Sequence, residues 1–184
     1  MRITGGSAKG QIIKTLPGLT VRPTTDKVRE AIFNILAPLA ASWDRGLDLF
    51  AGSGALGIEA LSRQVLWMDF VDQSDKCCQV IKQNLRKTGF IDKSHVYCCP
   101  VSKSLNFLCD TYDLIFLDPP YADTSLGTLV YNIGNSKLIS EDSIVLVSHA
   151  TRSALDKQYA SLSKIKEKRY GDTCISIYQK EVAS

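Results

Sequence analysis

From Gly46 to Ser148 the chain alternates short apolar runs, Gly-rich or acidic turns, and helical patterns. Strands alternating with helices predict an α/β fold, a parallel sheet with helices on both faces. A β-rich stretch, Thr173–Lys180, should add antiparallel edge strands. The predicted strands of the alternating part are Gly46–Phe50, Trp67–Val71, Ser94–Cys98, Tyr112–Leu117 and Ser143–Ser148. The predicted helices are Ala55–Arg63, Ser74–Thr88, Val101–Cys109 and Asp123–Gly134.

The chain ahead of this alternation divides into two parts. Residues 1–24 are rich in Gly, Pro, Thr and basic side chains, with β-compatible runs at Met1–Thr4 and Gln11–Thr15. We expect them to form a basic, hairpin-like β appendage, followed by one core domain over residues 25–184. A helix capped by Thr24 or Thr25 should open that domain, with Lys27 and Arg29 pointing away from its apolar face. The apolar positions of that helix are Val28, Ala31, Ile32, Ile35, Leu36 and Leu39.

Composition limits the class of protein. The 184 residues carry a net charge of +3 and are 45% hydrophobic, which argues against disordered, collagen-like and disulfide-scaffold chains. No apolar run of roughly 20 residues and no signal peptide is present, so we expect a cytoplasmic protein, with a monomer favoured and no membrane contact. The six cysteines include two adjacent pairs and no C-x-x-C spacing, so no metal site is expected.

The positive charge is concentrated at the N-terminus. Residues 1–34 hold six basic and two acidic side chains, whereas residues 35–184 hold 16 basic and 17 acidic ones. A basic arm on a near-neutral body is a plausible footprint for nucleic acid, although ordinary scatter of surface charge explains it equally well.

A glycine loop follows the first predicted strand. Gly52, Gly54 and Gly57 fit G-x-G-x-x-G, which lets a backbone turn approach a nucleotide-like ligand at a helix N-terminus. Asp72 ends the second strand, where it can accept hydrogen bonds from ribose hydroxyls. The loop suits either a nicotinamide dinucleotide or S-adenosylmethionine. Asp48 favours the second, because a carboxylate is poorly placed beside a pyrophosphate, although it could also be a buried or helix-capping group.

The fourth strand ends in Asp118-Pro119-Pro120-Tyr121. Two prolines fix the turn and remove amide donors, so Asp118 and the Pro119 carbonyl present only acceptors. Such a surface can bind the two N–H groups of a planar exocyclic amino group, and Tyr121 can stack on the attached base. An ordinary turn with an exposed tyrosine is the alternative.

Together these motifs resemble the Rossmann-like, S-adenosylmethionine-dependent amino-methyltransferases, and within them the bacterial RsmD family. The resemblance spans nearly the whole chain. It rests on Arg2–Gly6, Arg22–Asn34, Leu47–Gly54, Asp118–Tyr121 and Tyr170–Thr173. Cys99-Pro100-Val101 departs from the family, which usually has an acidic residue there near the adenine, and Gln64 replaces the usual glycine after the first helix of the alternation.

The resemblance implies a mostly parallel seven-stranded sheet with an antiparallel C-terminal edge. It implies methylation of the exocyclic amino group (N2) of a guanosine in small-subunit ribosomal RNA, free or in the assembled subunit. Asp118, Pro119 and Tyr121 would be catalytic. The cofactor S-adenosylmethionine would contact Asp48, Phe50, Ala51, Gly52, Ser53, Gly54, Asp72 and Gln73. RNA would contact Arg22, Thr24, Lys27 and Arg29.

Three other functions stay open on sequence grounds. A nicotinamide-dependent oxidoreductase explains the glycine loop and Asp72 but gives the Asp118 turn no role. An inactive RNA-binding assembly factor is disfavoured by the intact Asp48, Asp72, Asp118 and Tyr121. An amino-methyltransferase acting on DNA adenine or a protein glutamine uses the same turn, and only the small size of the chain argues against it.

Overall fold

The computed structural model describes residues 1–16, 25–39, 43–120 and 125–180. In these ranges it contains eight strands and five α-helices. The strands are β1 (Arg45–Leu49), β2 (Trp67–Asp72), β3 (Ser94–Cys98), β4 (Leu114–Leu117), β5 (Ile144–Ala150), β6 (Gln158–Tyr159), β7 (Leu162–Tyr170) and β8 (Thr173–Lys180). The helices are α1 (Asp26–Leu36), α2 (Ala55–Ser62), α3 (Asp75–Thr88), α4 (Val101–Ser104) and α5 (Leu126–Gly134).

All the described strands belong to one sheet, in the order β3-β2-β1-β4-β5-β8-β7-β6. The first five strands along the chain pair in parallel, and β8 runs antiparallel to β5. The predicted parallel sheet with an antiparallel C-terminal edge is therefore confirmed. The sheet has eight strands rather than seven, because the two-residue β6 pairs with β7. The carboxyl ends of β1, β2 and β4 meet at one edge, where ligands of such folds bind.

Local sequence signals explain most helix boundaries. Ser74 caps α3 by accepting a hydrogen bond from the amide of Cys77, and Gly89 ends it with φ +78°. The helix predicted over Val101–Cys109 is shorter, ending at Ser104. Beyond that point the amides of Asn106 and Phe107 donate three residues back, so the chain turns towards β4 instead of continuing the helix.

The two faces of the sheet carry separate hydrophobic cores. One packs α1, α2 and part of α3 against side chains such as Phe70 and Phe116. The other packs α5 and the chain around α4 against side chains such as Leu47 and Val145. A buried hydrogen bond of 2.8 Å from the Tyr112 hydroxyl to Asp69 links β2 to the chain before β4.

Residues 1–16 fold back onto α2 and join the first core. A single antiparallel bridge joins Arg2 to Ile12, and Ile3 and Ile13 are fully buried. Glu59 of α2 accepts hydrogen bonds from the Thr4 hydroxyl and from the amides of Thr4 and Gly5 at 2.7–2.8 Å. The described part of the N-terminal segment is thereby tied to the helix that follows the glycine loop.

Arg29 corrects a sequence prediction. We expected its side chain on the surface, in contact with RNA phosphates, but it is fully buried. Its guanidinium donates to Glu59 at 3.4 Å, to Asp26 at 2.9 Å and to the carbonyl of Arg2. Helical periodicity predicted an exposed position for this side chain. Arginine is usually exposed, but here a buried carboxylate on a neighbouring helix pairs with it and allows its burial. The prediction that Arg29 contacts an RNA phosphate is therefore wrong.

Candidate active site

The glycine loop forms the sharp turn between β1 and α2. Gly52 and Gly54 have φ values of +58° and +78°, in the left-handed region that glycine adopts without strain. Gly57 has a different role, because a Cβ at this position would lie 2.3 Å from the Phe70 ring. Its hydrogen side chain lets α2 pack closely on β2. The spacing of the three glycines thus serves both the turn and the packing beneath it.

Asp48 is a buried carboxylate directly beneath this loop. It accepts a 2.9 Å hydrogen bond from the amide of Gly57. Burial raises the pKa of Asp48 to about 8; the Gly57 hydrogen bond opposes the rise, and the nearby charges of Asp118 and Asp72 add to it. Asp72 and Asp118 therefore lie close enough to affect the Asp48 carboxyl, although the three residues lie in β1, at the end of β2 and directly after β4.

Asp72 fixes the position of the loop. Its two carboxylate oxygens accept hydrogen bonds from the amide of Gly52 at 2.8 Å and from the amide of Ser74 at 2.9 Å. Each oxygen has a second lone pair for a ligand. Asp72 therefore joins the glycine loop to the start of α3, in addition to its predicted role towards ribose.

A cavity of about 240 Å³ lies between these elements. Seven of the eight predicted cofactor residues line it, namely Asp48, Phe50, Ala51, Gly52, Ser53, Asp72 and Gln73. Gly54 does not, because it turns the backbone behind the lining. Asp118 and Pro120 also border the cavity. The described lining carries three carboxyl groups, those of Asp48, Asp72 and Asp118, and neither Lys nor Arg, so its charge suits a cationic adenosyl ligand better than a pyrophosphate. Apolar walls from Leu56 and Val101 provide room for an adenine.

The sequence reasoning missed several lining residues. Met1, Thr15 and Leu16 reach the cavity from the N-terminal segment, and Leu56 and Cys77 reach it from α2 and α3. No motif marked Met1, Thr15 and Leu16, because their position depends on how residues 1–16 fold. Leu56 is one of the unspecified positions of the glycine motif, and Cys77 lies in the first turn of α3. Val101 reaches the cavity from the stretch Cys99-Pro100-Val101, in which the usual acidic residue of the resembled family is missing.

A second cavity of about 350 Å³ borders the same turn. Pro119 and Pro120 form part of its wall, and Pro120 thus touches both cavities. Leu126 and Gly127 of α5 and the segment after β5 complete it. The remaining lining residues are His149, Ala150, Ser153, Ala154, Leu155 and Tyr159. This cavity has no predicted cofactor residue in its lining, and Pro119, predicted to be catalytic, faces it.

Other predicted residues stand as follows. Lys27 is exposed on α1, where it is free to meet an anion. Arg22, Thr24 and Tyr121 lie outside the described residues. Within the described ranges, no cluster of His, Cys, Asp or Glu could hold a metal ion, and no helix is long and apolar enough to cross a bilayer.

The chain is similar in sequence to known proteins. The model of the family described as "Conserved hypothetical protein 95" matches residues 1–179. The chain is 30% identical over 184 residues to ribosomal RNA small subunit methyltransferase D of Escherichia coli, covering 98% of this chain and 90% of that one. It belongs to the RsmD family.

Two further similar proteins agree with this placement. YlbH of Bacillus subtilis is 38% identical over 183 residues, covering 98% of this chain and 99% of YlbH. The solved structure of yhhF from Escherichia coli, described as a methyltransferase, is 28% identical and superposes with a TM-score of 0.86 over 98% of each chain. The fold is the Rossmann-like methyltransferase fold, and S-adenosylmethionine is the cofactor that the site residues fit.

The raised pKa of Asp48 predicts a pH dependence of cofactor binding. With a pKa of about 8, Asp48 is mostly protonated at neutral pH, and a cation bound beside it favours the ionised form. Affinity for S-adenosylmethionine should therefore rise about tenfold from pH 6 to pH 7, with release of about one proton. Calorimetry in buffers of different ionisation enthalpy measures that proton. Asp48→Asn should abolish the release, and an undiminished release in this variant would contradict the assignment.

Proposed function

We propose that this protein transfers a methyl group from S-adenosylmethionine to the exocyclic amino nitrogen, N2, of a guanosine in small-subunit ribosomal RNA. The position of the Asp118–Pro120 turn is the observation that carries the proposal. The turn follows β4 at the edge of the sheet where Asp48 and Asp72 lie, and it borders both cavities. A donor in one cavity and an acceptor base in the other would meet at this turn.

The chemistry requires positioning more than acid–base catalysis. S-adenosylmethionine supplies an electrophilic methyl group on a sulfonium centre. Asp118 and the Pro119 carbonyl accept hydrogen bonds from the two N–H groups of the amino nitrogen, which directs its lone pair away from the ring and towards the methyl carbon. As the nitrogen–carbon bond forms and the sulfur–methyl bond breaks with its electron pair left on sulfur, the nitrogen would become acidic. Asp118 or water then takes its proton, which leaves methylated guanine and S-adenosylhomocysteine.

The acceptor must leave its stack to reach this turn. A flipped base inserted beside Pro119 would contact the aromatic ring of Tyr159 and the apolar Leu126 and Leu155 in the second cavity. Tyr121, whose placement lies outside the described residues, is proposed to stack on the base as the sequence suggested. The size of this cavity, with the Tyr159 ring and the side chains of Leu126 and Leu155 in its lining, supports a planar ring as the acceptor.

Ribosomal RNA as the substrate class is supported by the family relatives, and the guanosine N2 atom is the finer step of the proposal. The nicotinamide-dependent alternative is disfavoured, because the carboxyl groups of Asp48 and Asp118 line the described cavity and are poorly placed beside a pyrophosphate. An inactive assembly factor would have no need for acceptor groups on a turn shared by two cavities.

The decisive test is methyl transfer from labelled S-adenosylmethionine to three substrates in parallel: unmodified small ribosomal subunits, naked ribosomal RNA and duplex DNA. Nuclease digestion then identifies the labelled nucleoside. Label in a single guanosine, as its N2-methyl form, is the expected result. Label in adenosine or in DNA, or none anywhere while the cofactor still binds, would overturn the acceptor assignment.

The N-terminal end of α1 gives a separate prediction about RNA binding. Lys27 is exposed at the start of the helix, and with Arg22 and Thr24 it is proposed to bind RNA phosphates. Lys27→Glu should weaken RNA binding about tenfold and lower the salt dependence by about one counterion. Lys166→Glu on β7 is the matched control, because it changes the same charge on another exposed surface. Equal effects of the two variants would show that Lys27 contributes to RNA binding only through the overall charge of the protein.

A further inference from the structure

Asn84 is a buried amide that the proposed reaction does not use. It lies in the second half of α3, 1% exposed, and bonds two chain segments that are far apart in sequence. Its Oδ1 accepts from the amide of Lys14 at 2.8 Å, and its Nδ2 donates to the carbonyl of Lys14 at 2.9 Å. The same Nδ2 donates to the carbonyl of Ser53 at 2.9 Å. One side chain thereby satisfies backbone groups of both segments.

Both segments belong to the cofactor cavity. Ser53 is part of the glycine loop, and Thr15 and Leu16 follow Lys14 directly; all three line the cavity. The chain before Lys14 is fixed by the buried Ile13 and by the contacts of Thr4 and Gly5 with Glu59. The bonds of Asn84 therefore hold the last backbone unit before the cavity wall begins.

We propose that Asn84 is a positioning residue of the cofactor site. It fixes Lys14 against the glycine loop, so that Thr15 and Leu16 form a wall over the bound cofactor. Cofactor binding must in turn stabilise this wall, because linkage between the two is reciprocal. The inference rests on the cofactor of the proposed function but not on its RNA acceptor.

The geometry requires an amide at this position. Aspartate keeps one acceptor but places a negative oxygen against the carbonyls of Lys14 and Ser53, which need a donor. Alanine leaves all three backbone groups without this partner. Gln83, the exposed neighbour on α3, offers a matched control because it bonds only to the Lys14 side chain among the described contacts, with Nζ to Oε1 at 3.2 Å.

The test uses S-adenosylhomocysteine as the ligand, with calorimetry and limited trypsin digestion at the Lys14–Thr15 bond. In the wild-type protein, saturating ligand should slow cleavage at this bond at least tenfold. Asn84→Ala and Asn84→Asp should weaken ligand binding at least tenfold and remove most of the protection. They should raise the KM for S-adenosylmethionine and leave kcat within about threefold. Gln83→Ala should leave affinity and protection within twofold of the wild type.

Hydrogen exchange on the wild-type protein provides a second measurement, which does not depend on the folding of a variant. The amide of Lys14 should exchange more slowly when S-adenosylhomocysteine is bound. Unchanged exchange at Lys14, or wild-type ligand affinity in Asn84→Ala, would overturn the inference. Failure of methyl transfer to RNA with these binding results intact would instead overturn the proposed acceptor.

Discussion

Asp118→Ala should lower kcat by a factor of about 10²–10³ while the affinity for S-adenosylhomocysteine changes by less than about threefold. Asp118 borders the cofactor cavity, but its proposed role is to hold the acceptor nitrogen. Removal of this group therefore affects the transition state more than the bound cofactor. Single-turnover methylation of small ribosomal subunits, together with calorimetry on the same variant, separates the two quantities.

Two further variants sharpen this prediction. Asp118→Asn loses the negative charge and the proton acceptor but keeps an acceptor oxygen. Because it keeps this oxygen, its loss of kcat should be smaller than that of the alanine variant. Asp92→Ala, an exposed carboxylate beside α3, should be indistinguishable from the wild type. Equal losses of turnover and cofactor affinity in Asp118→Ala would show that Asp118 belongs to the cofactor site instead.

The sequence predicted the sheet and the glycine loop because both depend on short-range patterns. The apolar runs that became β4 and the first half of β5 are continuous in hydrophobic residues, as strands buried on both faces are. Asp72 ends β2, Asp118 directly follows β4, and Gly52 lies three residues after β1, so their convergence at one edge of the sheet follows from parallel pairing. Seven of the residues predicted to contact the cofactor line one cavity together with Asp118.

The missed features all depend on contacts between distant segments. Thr15 and Leu16 line the cavity next to Lys14, whose backbone bonds to Asn84, 70 positions away in sequence. The buried Arg29 has a partner on another helix, the carboxylate of Glu59. Helical periodicity describes one helix at a time, so neither partner was visible from the sequence.

The buried ion pair of Arg29 and Glu59 gives the largest expected effect on stability. The Glu59 carboxylate is fully buried and accepts from Thr4 and Gly5, from Arg63 at 2.9 Å and from Arg29 at 3.4 Å. Glu59→Ala leaves the Arg29 guanidinium buried without this partner and removes the anchor of the N-terminal segment. The free energy of unfolding should therefore fall by about 3–5 kcal/mol, as measured by urea denaturation.

The pH dependence of the same pair has a defined sign. Burial by itself would raise the pKa of Glu59, but the hydrogen bonds from Thr4 and Arg63 outweigh it, and the pKa lies below its ordinary value. A lowered pKa contributes stability above the unfolded value of 4.5, and this contribution is lost as the pH falls through the folded value. Glu59→Gln should therefore have a lower free energy of unfolding than the wild type near neutral pH, and this difference should disappear in acid.

A double-mutant cycle separates the ion pair from the anchoring of residues 4 and 5. Arg29→Met alone leaves Glu59 paired with Arg63, so it should cost less than Glu59→Ala. In the double variant Arg29→Met with Glu59→Ala no buried cation remains, so its loss should be smaller than the sum of the two single losses. Glu30→Ala, an exposed carboxylate on α1, is the control and should change the free energy of unfolding by less than about 0.5 kcal/mol. Strict additivity would mean that Glu59 stabilises the fold through Thr4, Gly5 and Arg63, with no contribution from its pairing with Arg29.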